Sequence, residues 1–262
     1  MPQKQPQSNT ENVVTLNPLT ANLLNVSLAL EAIEVALGHR SELPGMVCFT
    51  GHSGLGKSKA VGYAKQQYRG YYLEIMAHWR KKDLLQNIMH QMGIRPEKGM
   101  DLTACVEAVI AELSVCGRPL VLDEFDQLVD RKYGADEMLL LILNIAKRSG
   151  GAILLVGEEN LGIKLKRHEK FHNCVYDWIQ AVTSDLNDCR ILARHYYPDL
   201  EIRDDLLEKT LHACFGVTRR ICMNQAAFAL EAASLGITSI GLAEWGTKAL
   251  NTGEPPKVRN LK

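Results

Sequence analysis

The sequence has no surplus of either charge: Lys plus Arg and Asp plus Glu number 30 each in 262 residues. A chain without a basic excess does not advertise a polyanionic or membrane partner, so any basic surface has to be local. Aromatic residues are few, at 6%, and Trp79, Trp178 and Trp245 stand apart from one another. No stacking array for single-stranded nucleic acid results, and each Trp reads as a packing residue. The seven cysteines form no Cys-x-x-Cys pair, their number is odd and several fall inside apolar patterns. That usage fits small buried hydrophobes in a reducing, cytoplasmic setting. No apolar run reaches the length of a membrane span, and the opening "MPQKQPQSNTEN" has no hydrophobic signal core, so residues 1–18 are expected to be a flexible tail and no membrane partner is expected.

What is present is a phosphate loop. "GHSGLGKS", residues 51–58, follows the apolar run "GMVCFT" and precedes the helical pattern "KSKAVGYAKQQY". Gly51, Gly54 and Gly56 let the backbone curl so that successive N–H groups face a phosphate, while Lys57 reaches the β- and γ-phosphates and Ser58 ligates magnesium. The cofactor-binding stretch is Gly51, His52, Ser53, Gly54, Leu55, Gly56, Lys57, Ser58 and Lys59, with the helix N-terminus adding positive potential. "RPLVLDEFDQL" supplies the acids: Asp123, at the carboxyl end of an apolar strand, is placed to hold magnesium, and Glu124 to orient and deprotonate a water. ATP, Mg²⁺ and hydrolysis are therefore the expected chemistry.

Hydrophobic periodicity sets these motifs in an alternating pattern. Residues 20–38, 57–67, "KKDLLQNIMHQMG", "DLTACVEAVIAELSVCG" with Asp101 as N-cap, and "GADEMLLLILNIAKRSGG" read as helices. Residues 46–50, 71–76, "RPLVLDEFD" and "AILLVGEEN" read as short apolar strands. Strands alternating with helices predict an α/β fold, a parallel sheet with helices on both faces. After Thr183 the pattern becomes helical throughout, including "SIGLAEWGTKALN", which predicts an all-helical second domain. The expected division is a nucleotide-binding core over 19–183, a helical lid over 184–250 and a tail over 251–262.

Together the phosphate loop, "LVLDE", the strand exit "VGEEN" and "GVTRRI" at a helix start resemble an AAA+ ATPase. More narrowly, the layout from Leu28 to Leu235 resembles the transposition-regulator branch, that of phage Mu transposition protein B, TniB and TnsC. The resemblance implies a five-stranded parallel sheet with a C-terminal helical lid. It also implies ATP-dependent assembly of a homo-oligomer, ring or filament, on double-stranded DNA, disassembly on hydrolysis and a transposase as partner. By position it makes Arg219 or Arg220 the second-sensor arginine and gives the first-sensor role to Asn160, because Glu158 stands where relatives carry Thr or Asn. Where relatives read F-x-x-R before the fifth strand, Phe171 is followed by Cys174, so Arg167 is the substitute arginine finger, with a solvated helix charge as the other reading. The basic trio Arg80, Lys81 and Lys82 falls where related assemblies face a channel, which implies contact with DNA phosphates. The basic segment around Lys164, Lys166 and Lys170 is the fallback surface.

Two other functions remain open on the residues alone: a helicase-loader or initiator-type ATPase, and a phosphotransferase acting on a small substrate. His168 and His172, four apart with Cys174 nearby, superficially resemble metal ligands but lack a fourth, so a satisfied or exposed pair is the reading taken.

Overall fold

The computed structural model describes residues 21–39 and 44–255. The 1–18 tail and the end of the C-terminal tail lie outside the described residues. Five strands form one all-parallel sheet: β1 (Gly45–Thr50), β2 (Tyr71–Glu74), β3 (Leu120–Asp123), β4 (Ala152–Gly157) and β5 (Val175–Gln180), in the order β2-β3-β4-β1-β5. β1 and β4 are buried along their whole length, which is why they read as unbroken apolar runs. Strand alternation divides the core in two. Val47, Phe49, Val121, Leu154 and Val156 face α1 (Leu24–Leu37) and α2 (Lys57–Gln67). Met46, Cys48, Leu120, Leu122, Ile153 and Leu155 face α3 (Lys81–Gln91), α4 (Leu102–Cys116), the short α5 (Asp126–Val129) and α6 (Ala135–Ser149).

Local chemistry places the boundaries. Asp101 caps α4, its carboxylate accepting from Ala104 N at 2.8 Å, and Gly117 and Gly150 close α4 and α6 in the left-handed region. Two short helices, α7 (Leu161–Leu165) and α8 (Glu169–His172), lead into β5. Because all strands run one way, the loops after β1, β3 and β4 leave along the same edge, with β1 and β4 adjacent at its centre.

A third apolar cluster is built from α9 (Leu186–Tyr196), α10 (Asp204–Ala213) and α11 (Thr218–Leu235), and includes Leu192, Leu207, Ile221, Phe228 and Trp245. It is not all-helical. β6 (Glu201–Ile202) pairs in parallel with β7 (Ser239–Ile240), tying the loop before α10 to the loop after α11. The helix expected through "SIGLAEWGTKALN" shrinks to α12 (Leu242–Trp245), because Gly246 turns the backbone to φ +66°. The chain beyond is instead held by Asn224, whose Nδ2 donates to Asn251 O at 2.9 Å and whose Oδ1 accepts from Asn251 N at 2.8 Å. The second strand likewise stops at Glu74, where its partner β3 ends at Asp123, two residues short of the expected Met76.

Of the three tryptophans, Trp245 packs edge-on against Phe228 and Trp79 lies against the core. Trp178 departs from the packing expectation: it sits on the outer edge strand, partly exposed, with its ring beside His172 and over Gly162.

Candidate nucleotide site

The loop between β1 and α2 is shaped by glycine where glycine is needed. Gly54 and Gly56 have φ of +87° and +85°, a region that side-chain-bearing residues rarely adopt. Gly51 is needed for space instead: a Cβ there would meet Ala181 Cβ at 2.9 Å. α2 has no side-chain N-cap, so its first-turn N–H groups are left for a ligand at the positive end of the helix. Lys57 lies across the loop, Nζ donating to Gly51 O at 2.6 Å and His52 O at 3.0 Å. Burial lowers the Lys57 pKa, and the carboxylates of Asp123, Glu124, Asp126 and Glu158 oppose that without cancelling it.

A cavity of about 690 Å³ opens over this loop. Ser53, Gly54, Leu55, Gly56, Lys57, Ser58 and Lys59 line it, with Asp123, Glu124 and Glu158 from the neighbouring strand exits. Gly51 and His52 do not line it. His52 points outward and pairs with Glu159. The lining also has an apolar part, formed by Leu23 and Val26 at the start of α1 and by Leu192, Tyr196, Cys222 and Met223 from the helical cluster. Sequence patterns gave no sign of this wall, because its residues read simply as helix faces.

Asp123 is 3% exposed, and both carboxylate oxygens are held: Oδ2 accepts from Tyr72 OH at 2.7 Å and Oδ1 from Glu124 N at 2.9 Å. Glu124 is exposed at the cavity and has φ +54°, a conformation that costs a non-glycine residue about 1–3 kcal/mol and concentrates at functional sites. Desolvation raises its pKa, the Asp123 and Glu74 charges add to that, and Lys57 opposes. Ser58 and Asp123 offer the hard oxygen donors that magnesium takes in ones and twos, with water and phosphate completing the shell. Among the described residues no group of three or more His, Cys, Asp or Glu side chains is arranged to hold a metal by itself. His168 is engaged elsewhere, 2.5 Å from Asp136.

The expected sensor residues separate. Asn160 begins α7, exposed and outside the cavity lining, whereas Glu158 faces into it. A carboxylate therefore occupies the place where the resemblance implies Thr or Asn, and Asn160 is not brought to the site. Arg219 lines the cavity and its backbone N donates to Gly54 O at 2.9 Å, fastening the start of α11 to the phosphate loop. Arg220 faces away, against Gly253. Arg167 is exposed between α7 and α8 and does not line the cavity of its own chain.

The trio lies elsewhere on the core. Arg80 caps α3, its N donating to Asp83 Oδ2 at 2.8 Å, Lys81 pairs with Glu137 and Lys82 is exposed. All three line a separate cleft of about 420 Å³, joined by Arg131, which the sequence reading missed. Within the fallback basic segment Lys164 is already engaged by the carboxylates of Asp126 at 2.9 Å, Asp130 at 2.6 Å and Glu158 at 3.4 Å, while Lys166 and Lys170 are exposed.

A five-stranded parallel sheet in this order, flanked by helices and carrying a phosphate loop and an acidic strand end over one cavity, is the core fold of AAA+ ATPases. Residues 40–164 match the family model of the AAA domain. Among solved structures, Aeropyrum pernix ORC2 in ADPNP–ADP complexes is similar at TM-score 0.65 and 14% identity, over 84% of this chain and 65% of that one. Cdc6p from Pyrobaculum aerophilum is similar at TM-score 0.64 and 16% identity, over 85% and 65%. Aeropyrum pernix ORC1 in complex with DNA gives TM-score 0.58 and 17% identity, over 80% and 60%. The chain thus spans about 65% of the length of the first two, and at such identities the likeness is one of fold. No curated protein matches the sequence.

Proposed function

We propose that this chain is a magnesium-dependent ATPase that uses the bound nucleotide to govern its hold on double-stranded DNA. The observation that carries the reading is the convergence of Lys57, Ser58, Asp123, Glu124 and the lid's Arg219 on one cavity of about 690 Å³. Phosphate oxygens would meet the free N–H groups of α2 and the Lys57 ammonium, and the apolar wall would take the base. Ser58 and Asp123 would hold magnesium, which neutralises charge on the phosphates when bound. Glu124 would take a proton from water as its oxygen forms a bond to the γ-phosphorus and the bond to the bridging β–γ oxygen breaks, leaving ADP and phosphate. Arg219 would report the change to the lid. Arg167, exposed and away from its own cavity, suits a neighbour's site in a homo-oligomer, and Arg80, Lys82 and Arg131 suit a phosphate backbone.

The partner is better sought among replication proteins than among transposases. The likeness to ORC and Cdc6 supports an initiator or loader, one of these relatives being described in complex with DNA, while the transposition reading rests on layout alone. Among the described residues no helix is long and apolar enough to cross a membrane. Electron microscopy and filter binding with duplex DNA, with ADP and with a non-hydrolysable ATP analogue, test the reading. Assemblies on DNA that need the analogue, persist with ATP in Glu124→Gln and weaken in Lys82→Glu are expected. Nucleotide-independent DNA binding, or none in either state, would overturn it. Co-purification with a helicase or with a transposase decides the partner.

A further inference from the structure

Tyr72 lies outside every motif that marks the site, yet its hydroxyl donates to Asp123 Oδ2 at 2.7 Å. The register of β2 on β3 explains the reach. Tyr72 pairs with Val121 and Glu74 with Asp123, so Tyr72 and Asp123 share the face that carries α1 and α2, one pair-step apart. The Tyr72 ring is held in place from α2, with Lys65 Nζ 5.4 Å from its centroid. Asp123 Oδ1 is meanwhile held by Glu124 N. A buried carboxylate fixed at both oxygens has one orientation, each oxygen keeps a further lone pair, and Asp123 lines the cavity.

We propose that Tyr72 is a positioning residue for magnesium: its hydroxyl fixes the Asp123 carboxylate in the orientation from which Asp123 and Ser58 receive the metal. The inference rests on the ATPase reading above. Partners that orient a ligand in this way are commonly worth 10–100-fold in metal affinity or activity. The sequence hid this residue because "YYLE" reads simply as a short strand, and nothing in it names the acid 51 positions on.

The test is a magnesium titration of fluorescent-nucleotide binding to the wild type and to Tyr72→Phe, which keeps the ring and removes the hydroxyl. Expected is an unchanged affinity without metal and a rise of about tenfold in the magnesium concentration that half-maximally tightens binding. A second arm places Tyr72→Phe in an Asp123→Asn background, where it should change nothing further. An unaltered magnesium midpoint in Tyr72→Phe, or an equal loss with and without metal, would overturn the role, the latter assigning Tyr72 to packing. Full effect of Tyr72→Phe in the Asp123→Asn background would overturn it as well. A wild type whose nucleotide binding ignores magnesium would instead remove the ATPase reading, and Tyr72's role with it.

Discussion

Replacing Lys164 by Met should destabilise the core by about 2–3 kcal/mol, and the figure follows from where the charges sit. Asp126 has a side chain only 5% exposed, with Oδ2 accepting from Glu158 N at 2.6 Å and Oδ1 from Lys164 Nζ at 2.9 Å. Removing one partner of a fully buried ion pair costs about 3–5 kcal/mol, because the remaining charge stays uncompensated. Lys164 is 24% exposed, so water screens part of that loss, and its further pairs with the exposed Asp130 and Glu158 each add little, in the range of about 0–1 kcal/mol. Met keeps the packing of the lysine stem. For a chain of this size the loss lowers the thermal midpoint by roughly 4–12 °C, at about 2–4 °C per kcal/mol. Burial pulls the Lys164 pKa down, and its bonds to Asp130 and Asp126 more than offset this, leaving it above the ordinary lysine value. A raised base contributes stability that is complete below its unfolded pKa and is lost as pH rises through the folded one. The Met effect should therefore be constant through neutral pH and shrink only in strong alkali. Calorimetry of wild type, Lys164→Met, Asp126→Asn and the double variant provides the measurement. Loss in the double variant should be well below the sum of the single losses, since neutralising Asp126 removes the orphaned charge. A single-variant loss under about 0.5 kcal/mol, or simple additivity, would refute the reasoning.

Glu74→Gln removes one of the charges that raise the Glu124 pKa, so the acid limb of ATP turnover, which reports deprotonation of Glu124, should move to lower pH; a limb that stays or rises would count against Glu124 as the base. Arg219→Ala should slow turnover by about 100–1000-fold, the loss typical of removing one electrostatic contact to the transition state, with Arg220→Ala close to wild type, because only Arg219 faces the cavity; equal effects in steady-state kinetics would contradict that assignment.

How far the sequence reached follows from what each residue needs. The phosphate loop and the acid at the end of β3 are legible because their chemistry is local: glycines at fixed offsets, and a carboxylate after four apolar residues. Asp101 and the glycines closing α4 and α6 are legible for the same reason. What was missed depends on sheet order and on pairs distant along the chain. Asn25 looks like a stray polar residue on an apolar helix. It is buried, donating to Leu55 O at 2.9 Å and Val182 O at 2.8 Å and accepting from Val182 N at 2.9 Å, and so clamps α1 to the phosphate loop and to the exit from β5. Lys164 reads as surface charge because its three carboxylate partners, two on α5 and its C-cap and one in the exit from β4, leave no periodic trace. Likeness to other proteins points to Asn160, but at the end of β4 it is Glu158 that lines the cavity, its backbone N fixed by a bond to Asp126 Oδ2 at 2.6 Å.

The start of α11 is fastened directly to the phosphate loop. Gly54 is held from two sides: its carbonyl accepts from Arg219 N, and a Cβ on it would meet Val217 Cγ1 at 2.9 Å, so the loop and the start of α11 touch without slack. The buried pair of Ser184 Oγ and Thr218 Oγ1, 2.8 Å apart, fixes the same end of α11 to the segment that leaves β5. α11 has 18 residues, so at 1.5 Å per residue a tilt set at its first turn is carried about 27 Å to its far end. A packed contact of this kind transmits displacement because it cannot be compressed. A ligand that displaced the Gly54 carbonyl would strain its bond to Arg219 N. Were phosphate binding coupled to α11 through this bond, fixing α11 would change the loop's affinity for phosphate by the same factor.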